Sequence, residues 1–305
     1  MELEIIAADR AKAAAYLADA LAELYIGDTQ PPALAGGRSA GLTRLRVFNV
    51  EAYAGTRNDV GPDSGASRLA PYFRHGCLSL SEARDEGVRR IGVGRATKWI
   101  QELAWRQFWQ LQYARHGSKI FADMETPKVR LGSDDTVPDD IANAETGLAC
   151  MDTSLRMLYD TGYMFNHARM WFAAYFVHHR KHTWQAGAKL FYRFLLCGDP
   201  ASNSLSWQWV ASTFSHKPYF FNRQNVEKYS RDRETGETYC SRCPAAINRT
   251  CPFDASYETL GTRLFGDDYE HDDHSRANSA SRNDRGQRPG QADRSLGSRR
   301  PSPRG

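Results

Sequence analysis

The chain predicts an all-α fold, on three observations. Residues 8–25 repeat Ala and Leu at helical spacing, so the chain opens with a helix. Trp99, Glu102, Leu103 and Arg106 recur at i, i+3, i+4 and i+7, which puts a ring, a carboxylate and a guanidinium on one helical face. No series of β-strands precedes these stretches, and neither a G-x-G-x-x-G nor a Walker sequence follows; Gly92-Val93-Gly94 reads as a simple turn.

Composition narrows the class. With 305 residues, 41% hydrophobic and 25% charged, the chain can bury a large core as an ordinary globular protein. A net charge of +4 is too mild to announce a nucleic-acid binder by itself, although it permits a local basic patch. No apolar run approaches a membrane span, and the opening MELEIIAADR lacks the features of a signal peptide, so a cytoplasmic place and no membrane contact are expected. Six cysteines are too few for a secreted disulfide framework; Cys240-x-x-Cys243 in a reducing compartment points to metal or redox work.

After the first helix a Gly/Pro-rich loop, 27–41, leads to Leu42–Arg46, then to Tyr53-x-x-x-Arg57-Asn58 and a second small-residue loop, 59–65. That loop runs into Ser67-Arg68-Leu69-Ala70-Pro71-Tyr72. Entering a helix through such a loop exposes backbone N–H groups where a diphosphate can sit, and an ordinary capped loop has the same composition. On the helix through Trp99, the i,i+4 spacing of Glu102 and Arg106 is that of a solvated ion pair. Residues 115–145 are polar and read as a surface connection.

Two helices are expected next, over 146–159 and 166–177, and a third from Trp184 with Phe191, Tyr192, Phe194 and Leu195 on one side. It breaks at Gly198-Asp199-Pro200 and restarts into Trp207 and Trp209, making a helical wall with a polar notch. By composition alone that would be a core hairpin with a capped turn. Beyond Asn222 come Cys240, Cys243 and Cys251. The final stretch mixes acids and arginines with Ser, Gly, Pro and Asn and has two large apolar side chains, Tyr269 and Leu296, so it cannot bury enough surface to fold. The expected division is a folded unit over 1–266 and a disordered tail over 267–305.

Four word patterns go beyond composition: S-R-L-x-P-Y-x-x-x-G-x-L-S from Ser67, W-x-x-E-L-x-W-R-x-F from Trp99, T-G-x-x-x-x-D-x-x-x-R-x-L-x-x-T-G-Y-M-x-N-x-x-R-M from Thr146, and G-D-x-A-x-N from Gly198, with W-Q-W and P-Y-F-x-N behind it. Together they resemble the helical FAD-binding domain of the photolyase/cryptochrome family, over roughly residues 53–222, without that family's antenna-binding α/β domain. The resemblance implies a FAD pocket formed by Tyr53, Ala66, Ser67, Arg68, Leu69, Ala70, Trp99, Arg106, Asn166, Arg169, Cys197, Gly198, Asp199 and Asn203, with Asn203 beside the flavin N5. It implies electron supply through Trp207 and Trp184, while no tryptophan in 110–145 supplies a third, surface member. It also implies light-driven splitting of pyrimidine dimers in damaged DNA, with Glu102 bonding the substrate base, Trp105, His167 and Met170 holding it, and Arg57 on phosphates.

The sequence departs from the family at Cys197, where an aspartate ordinarily pairs with the arginine that Arg169 matches; a thiol cannot balance a buried guanidinium, so Arg169 is expected to pair with the flavin itself. Phe165 and His167 replace the commoner His and Arg, which bears on lesion recognition. The rival reading is a cryptochrome-like photoreceptor or redox protein without repair activity, with a separate antenna or signalling partner. Cys150 with Cys240, Cys243 and Cys251 is similar to the cysteine set of the family's iron–sulfur branch, although the interval from Cys243 to Cys251 is shorter; zinc and free thiols are the alternatives.

Overall fold

Helix follows helix through the described residues. In the computed structural model, which describes residues 9–24, 34–61, 64–267 and 269, no strand forms among the described residues, and a lone bridge joins Asp134 to His182. The order is α1 (Arg10–Ala20), α2 (Arg38–Val47), α3 (Tyr53–Thr56), α4 (Ala70–Arg74), α5 (Leu80–His116), α6 (Asp139–Ala142), α7 (Ala149–Thr161), α8 (Asn166–Ala174), α9 (Trp184–Phe194), α10 (Pro200–Ala211), α11 (Arg223–Tyr229), α12 (Pro244–Ile247) and α13 (Tyr257–Phe265). A π-helical turn, Tyr175–His179, extends α8. The all-α expectation is met.

Local chemistry explains the boundaries. Ser79 and Glu82 form a reciprocal capping box at the start of α5, Thr183 caps α9, and Asp199 followed by Pro200 starts α10. The predicted turn at Gly92 is a break inside α5, at φ 77° and ψ 157°, a backbone region that glycine enters without steric cost.

The buried apolar side chains form two clusters. The larger draws on α7 to α10, with Trp171, Phe172, Phe176, Trp184, Phe191 and Trp207 at its heart. The smaller joins α2, α4 and α5 through Leu45, Leu69, Tyr72, Leu78, Ile91, Trp99 and Leu103. Residues 115–145 run mostly at the surface, as expected, but are pinned to the core at a few positions. Ile120 and Ile141 are fully buried, and the buried Gln208 donates to the Ile120 carbonyl at 2.8 Å and accepts from Met124 N–H at 2.9 Å. Few apolar residues suffice when each one is placed, because the buried amide needs that backbone as its partner.

The tail expected over 267–305 lies outside the described residues except for Asp267 and Tyr269. No helix among the described residues is long and apolar enough to cross a membrane.

Candidate functional site

A cavity of about 300 Å³ opens along the seam between the two apolar clusters. Leu69, Trp99 and Leu103 face it from the smaller cluster, and Phe191, Leu195, Trp207 and Val210 from the larger. The loop Ala66–Ala70 borders it on one side. Arg68 sits there at φ 54°, the Ser67 hydroxyl accepts from Leu69 N–H at 3.3 Å, and the Ser67 carbonyl accepts from Arg44 Nε at 2.9 Å. The Arg68 guanidinium lies over the rings of Tyr163 and Phe165, 4.9 and 5.3 Å from their centroids.

Helix α5 supplies the opposite wall. Trp99 is a buried pillar whose indole N–H donates to the Ala83 carbonyl at 2.8 Å, and Tyr53 meets it edge-on at 5.1 Å. Burial, and then the nearby Glu102 charge, hold the Tyr53 hydroxyl well above its ordinary pKa. The Glu102–Arg106 pair that the i,i+4 spacing allows does not form. Glu102 pairs with Lys98 at 2.8 Å and Arg57 at 3.3 Å, whereas Arg106 crosses the seam to Asp199 at 3.0 Å. Gln110, one turn further on, donates to the same carboxylate at 2.6 Å. Burial lowers the pKa of the Arg106 guanidinium, so a buried carboxylate is the partner that offsets its desolvation. Asp199 uses its other oxygen to cap α10 at Ser202 N–H, 2.9 Å away.

At the rim, Trp105 is 52% exposed and stacks on Trp109 with centroids 5.5 Å apart, and Trp109 reaches Phe214 at 6.0 Å. Below it, Asn203 ties α10 to α9 by donating to the Ala188 carbonyl at 2.8 Å. Trp207 lies on the cavity, close to α9, because Gly187 has no side chain: a Cβ there would stand 2.2 Å from the indole. Arg169 donates Nε–H to the Met164 carbonyl at 2.8 Å and points its terminal nitrogens at Cys197 Sγ, at 3.6 and 3.7 Å.

Most expected site residues therefore meet on one cavity, including Arg57, Asn166 and Met170. Of the residues expected at the flavin, its electron supply or the substrate, three do not line it. His167 is buried between Trp171 and Tyr229, centroids 4.9 and 4.3 Å away, with Nδ1 3.1 Å from the Asn58 carbonyl. That corrects its placement against a substrate: the ring is a core group, and burial pulls its pKa down to about 4. Gly198 offers its carbonyl to Arg74 Nε at 3.0 Å instead of facing the cavity. Trp184 is buried behind the wall, and its N–H donates to Asp123 at 2.7 Å. Sequence reasoning passed over Trp109, Gln110 and Ser202. The signal for the first two was present, since Trp109 follows Trp105 and Gln110 follows Arg106 by four residues.

The polar lining suits an anionic, hydrogen-bonding ligand such as FAD. Ser202 Oγ is buried without a hydrogen-bond partner, and among the described residues no carboxylate pairs with Arg68 or Arg169. The cysteines fall elsewhere. Cys150, Cys240 and Cys243 are buried in the larger cluster with Cys251 packed against it, all as free thiols. Burial, then Cys240, Cys251 and Cys243, push the Cys150 thiol pKa well up, so the four lie within electrostatic reach of one another. Among the described residues no three His, Cys, Asp or Glu side chains gather as a site for a single metal ion.

Comparison with known proteins bears on this cavity. Residues 99–248 match the family described as the FAD binding domain of DNA photolyase. A deoxyribodipyrimidine photo-lyase from Thermus thermophilus is 34% identical over 192 residues, covering 60% of this chain and 45% of the relative. A cryptochrome DASH from Natronomonas pharaonis is 29% identical over 233 residues, covering 68% and 48%. The chain thus spans about half the length of these relatives. Among solved structures, the Synechocystis sp. PCC6803 cryptochrome superposes with a TM-score of 0.58 at 25% identity, covering 65% of this chain and 44% of that one. The photolyase from Sulfolobus tokodaii, solved with two FAD molecules, gives 0.57 at 27% identity, covering 66% and 46%.

Proposed function

Since the chain belongs to the photolyase/cryptochrome family over its FAD-binding part, we propose that it is a FAD flavoprotein that binds damaged DNA and splits pyrimidine dimers in light. The observation that carries this reading is that one cavity joins a polar floor, made of Asp199, Ser202, Asn203 and Arg169, to an exposed aromatic rim, Trp105 on Trp109. A buried cofactor and an extruded base would then share one space.

Bound FAD would supply the light-driven electron transfer. The chain's residues do the rest. Ser67, Arg68 and Leu69 hold the diphosphate, and Arg106 and Gln110 fix the Asp199 carboxylate at the floor. Arg169 lends its charge to the ligand, since Cys197 cannot neutralise it. Trp207 on the wall and Trp184 behind it supply electrons to the cavity. At the rim Trp105 and Met170 pack on the base, Glu102, held by Lys98 and Arg57, accepts a hydrogen bond from it, and Arg57 also takes a phosphate. The unit that does this is residues 1–266, with 267–305 as an appended tail.

The test is an absorption spectrum of the purified full chain before and after blue light with a thiol reductant, followed by DNA carrying pyrimidine dimers. Bound flavin with light-dependent loss of dimers is expected, and a colourless protein refutes the cofactor assignment. Flavin that photoreduces while dimers persist selects the second reading, a photoreceptor or redox protein, which the uncompensated Arg169–Cys197 contact favours. An iron–sulfur cluster on Cys150, Cys240, Cys243 and Cys251 is a separate part of the proposal, supported by three of these thiols being buried in one apolar cluster with the fourth packed against it. Iron and acid-labile sulfide in anaerobically purified protein test it, and zinc alone would refute it.

A further inference from the structure

A second, open cleft, which shares no lining residue with the cavity of the proposed site, collects three arginines from three segments. Arg223 begins α11, Arg249 follows α12 and Arg263 lies in α13, and none of them lines the cavity described above. Asp254 is the one acid in the cleft wall, and it is already engaged by Arg223 at 2.8 Å; Glu227 holds the same guanidinium at 3.0 Å. Arg249 and Arg263 have no carboxylate partner among the described residues, and Arg263 reaches only the Pro252 carbonyl, at 3.4 Å. With both carboxylates held by Arg223, three guanidiniums less two carboxylates leave one net positive charge around the cleft, and the two guanidiniums without a carboxylate partner are those of Arg249 and Arg263.

The backbone holds this arrangement at some cost. Arg249 adopts φ 58°, a left-handed conformation uncommon for a side chain of its size. The turn that fixes it is closed by Thr250 N–H to the Ala245 carbonyl at 2.8 Å and Arg249 N–H to the Ala246 carbonyl at 3.3 Å. Unpaired guanidiniums facing one space repel each other, and a ligand with matching negative charge removes that repulsion.

We infer that this cleft binds a phosphate-bearing anion, with Arg249 and Arg263 as its ligands and the Arg223–Asp254 pair as a fixed wall. A phosphate suits the lining because it is anionic and its oxygens match the forked donors of the two guanidiniums that lack a carboxylate partner. The phosphate could belong to a small ester or to a nucleic-acid backbone. The inference does not rest on the flavin reading.

The experiment is calorimetric titration of the full chain, first with inorganic phosphate and then with an undamaged single-stranded oligodeoxynucleotide, on wild type, R249A/R263A and R249K/R263K. Far-UV circular dichroism checks that each variant is folded. Wild type should bind phosphate saturably, with affinity falling about tenfold or more in the alanine pair and less in the lysine pair. Saturation by inorganic phosphate identifies a small ester as sufficient. A response to the oligonucleotide alone, weakened about tenfold in the alanine pair with a shallower salt dependence, identifies the nucleic-acid backbone. Equal affinity of wild type and the alanine pair for both probes overturns the inference, as does the absence of saturable binding by either. A colourless protein would defeat the flavin reading and leave this result standing.

Discussion

Asp199 does two jobs that two substitutions separate. It is 5% exposed, one oxygen caps α10 and the other pairs with Arg106, whose side chain is 17% exposed. Asp199→Asn keeps an equally good cap but removes the charge and, with it, the second oxygen that accepts from Arg106 and Gln110. Breaking a fully buried pair by deleting one partner costs about 3–5 kcal/mol, and the residual exposure of Arg106 reduces this to about 2–3 kcal/mol. Asp199→Ala also loses the cap, worth about 1 kcal/mol, and so should cost about 3–4 kcal/mol in all. Urea unfolding of the full chain at neutral pH reads both as shifts in midpoint at constant slope. A D199N protein within about 0.5 kcal/mol of wild type would refute the view that the charge across the seam matters, because substitutions without such a mechanism fall in that range. Equal losses for D199N and D199A would refute the separate contribution of the cap.

Three further outcomes are expected. Gly187→Ala places a methyl 2.2 Å from the Trp207 ring, so it should destabilise by about 1–3 kcal/mol and shift tryptophan fluorescence; an unchanged melting temperature would contradict the packing. Cys197→Asp gives Arg169 a carboxylate where a thiol now stands 3.6 Å away, and should raise urea stability by about 1 kcal/mol or more, whereas a loss would show that Arg169 is already compensated. His178, pulled by burial to about 3, and His167 and His179, to about 4, are bases whose folded pKa lies below the unfolded one. The unfolded chain therefore binds more protons between about pH 4 and 6.5, so their stability is present above about 6.5 and is lost on acidification, by up to about 1.4 kcal/mol per pH unit for each histidine. Urea midpoints that stay level between about pH 6.5 and pH 5 would contradict their neutral burial.

The elements were legible because periodicity and caps are local. The helices through Trp99, Asn166 and Trp184, the turn at Gly92 and the break before Pro200 appear where spacing places them, and the helix expected from Thr146 starts three residues later, at Ala149. Partners were less legible. Sequence spacing offered Arg106 a carboxylate four residues away, but α5 packs across α10 and its partner stands 93 positions further on. Ile120 and Ile141 sit in a polar stretch whose composition hides its buried side chains, and His167 lies among motif residues that face the cavity while it faces the core. The arginine cleft had no signature at all, since positions 223, 249 and 263 share no element and no period.

The cavity and the seam have one physical origin. Two apolar clusters meet along α5 and α10, and a fully apolar junction would merge them and leave no room for a ligand. Polar side chains hold the junction: Arg106 and Gln110 on α5 reach across to Asp199 at the head of α10. The groups that join the clusters are therefore also the floor of the site, which ties stability to binding. D199N should then lose ligand affinity along with stability, and a variant that keeps full stability while losing the ligand would have to lie at Ser67 or Arg68, outside the buried core, or at the rim, where Trp105 is half exposed and holds little of the fold.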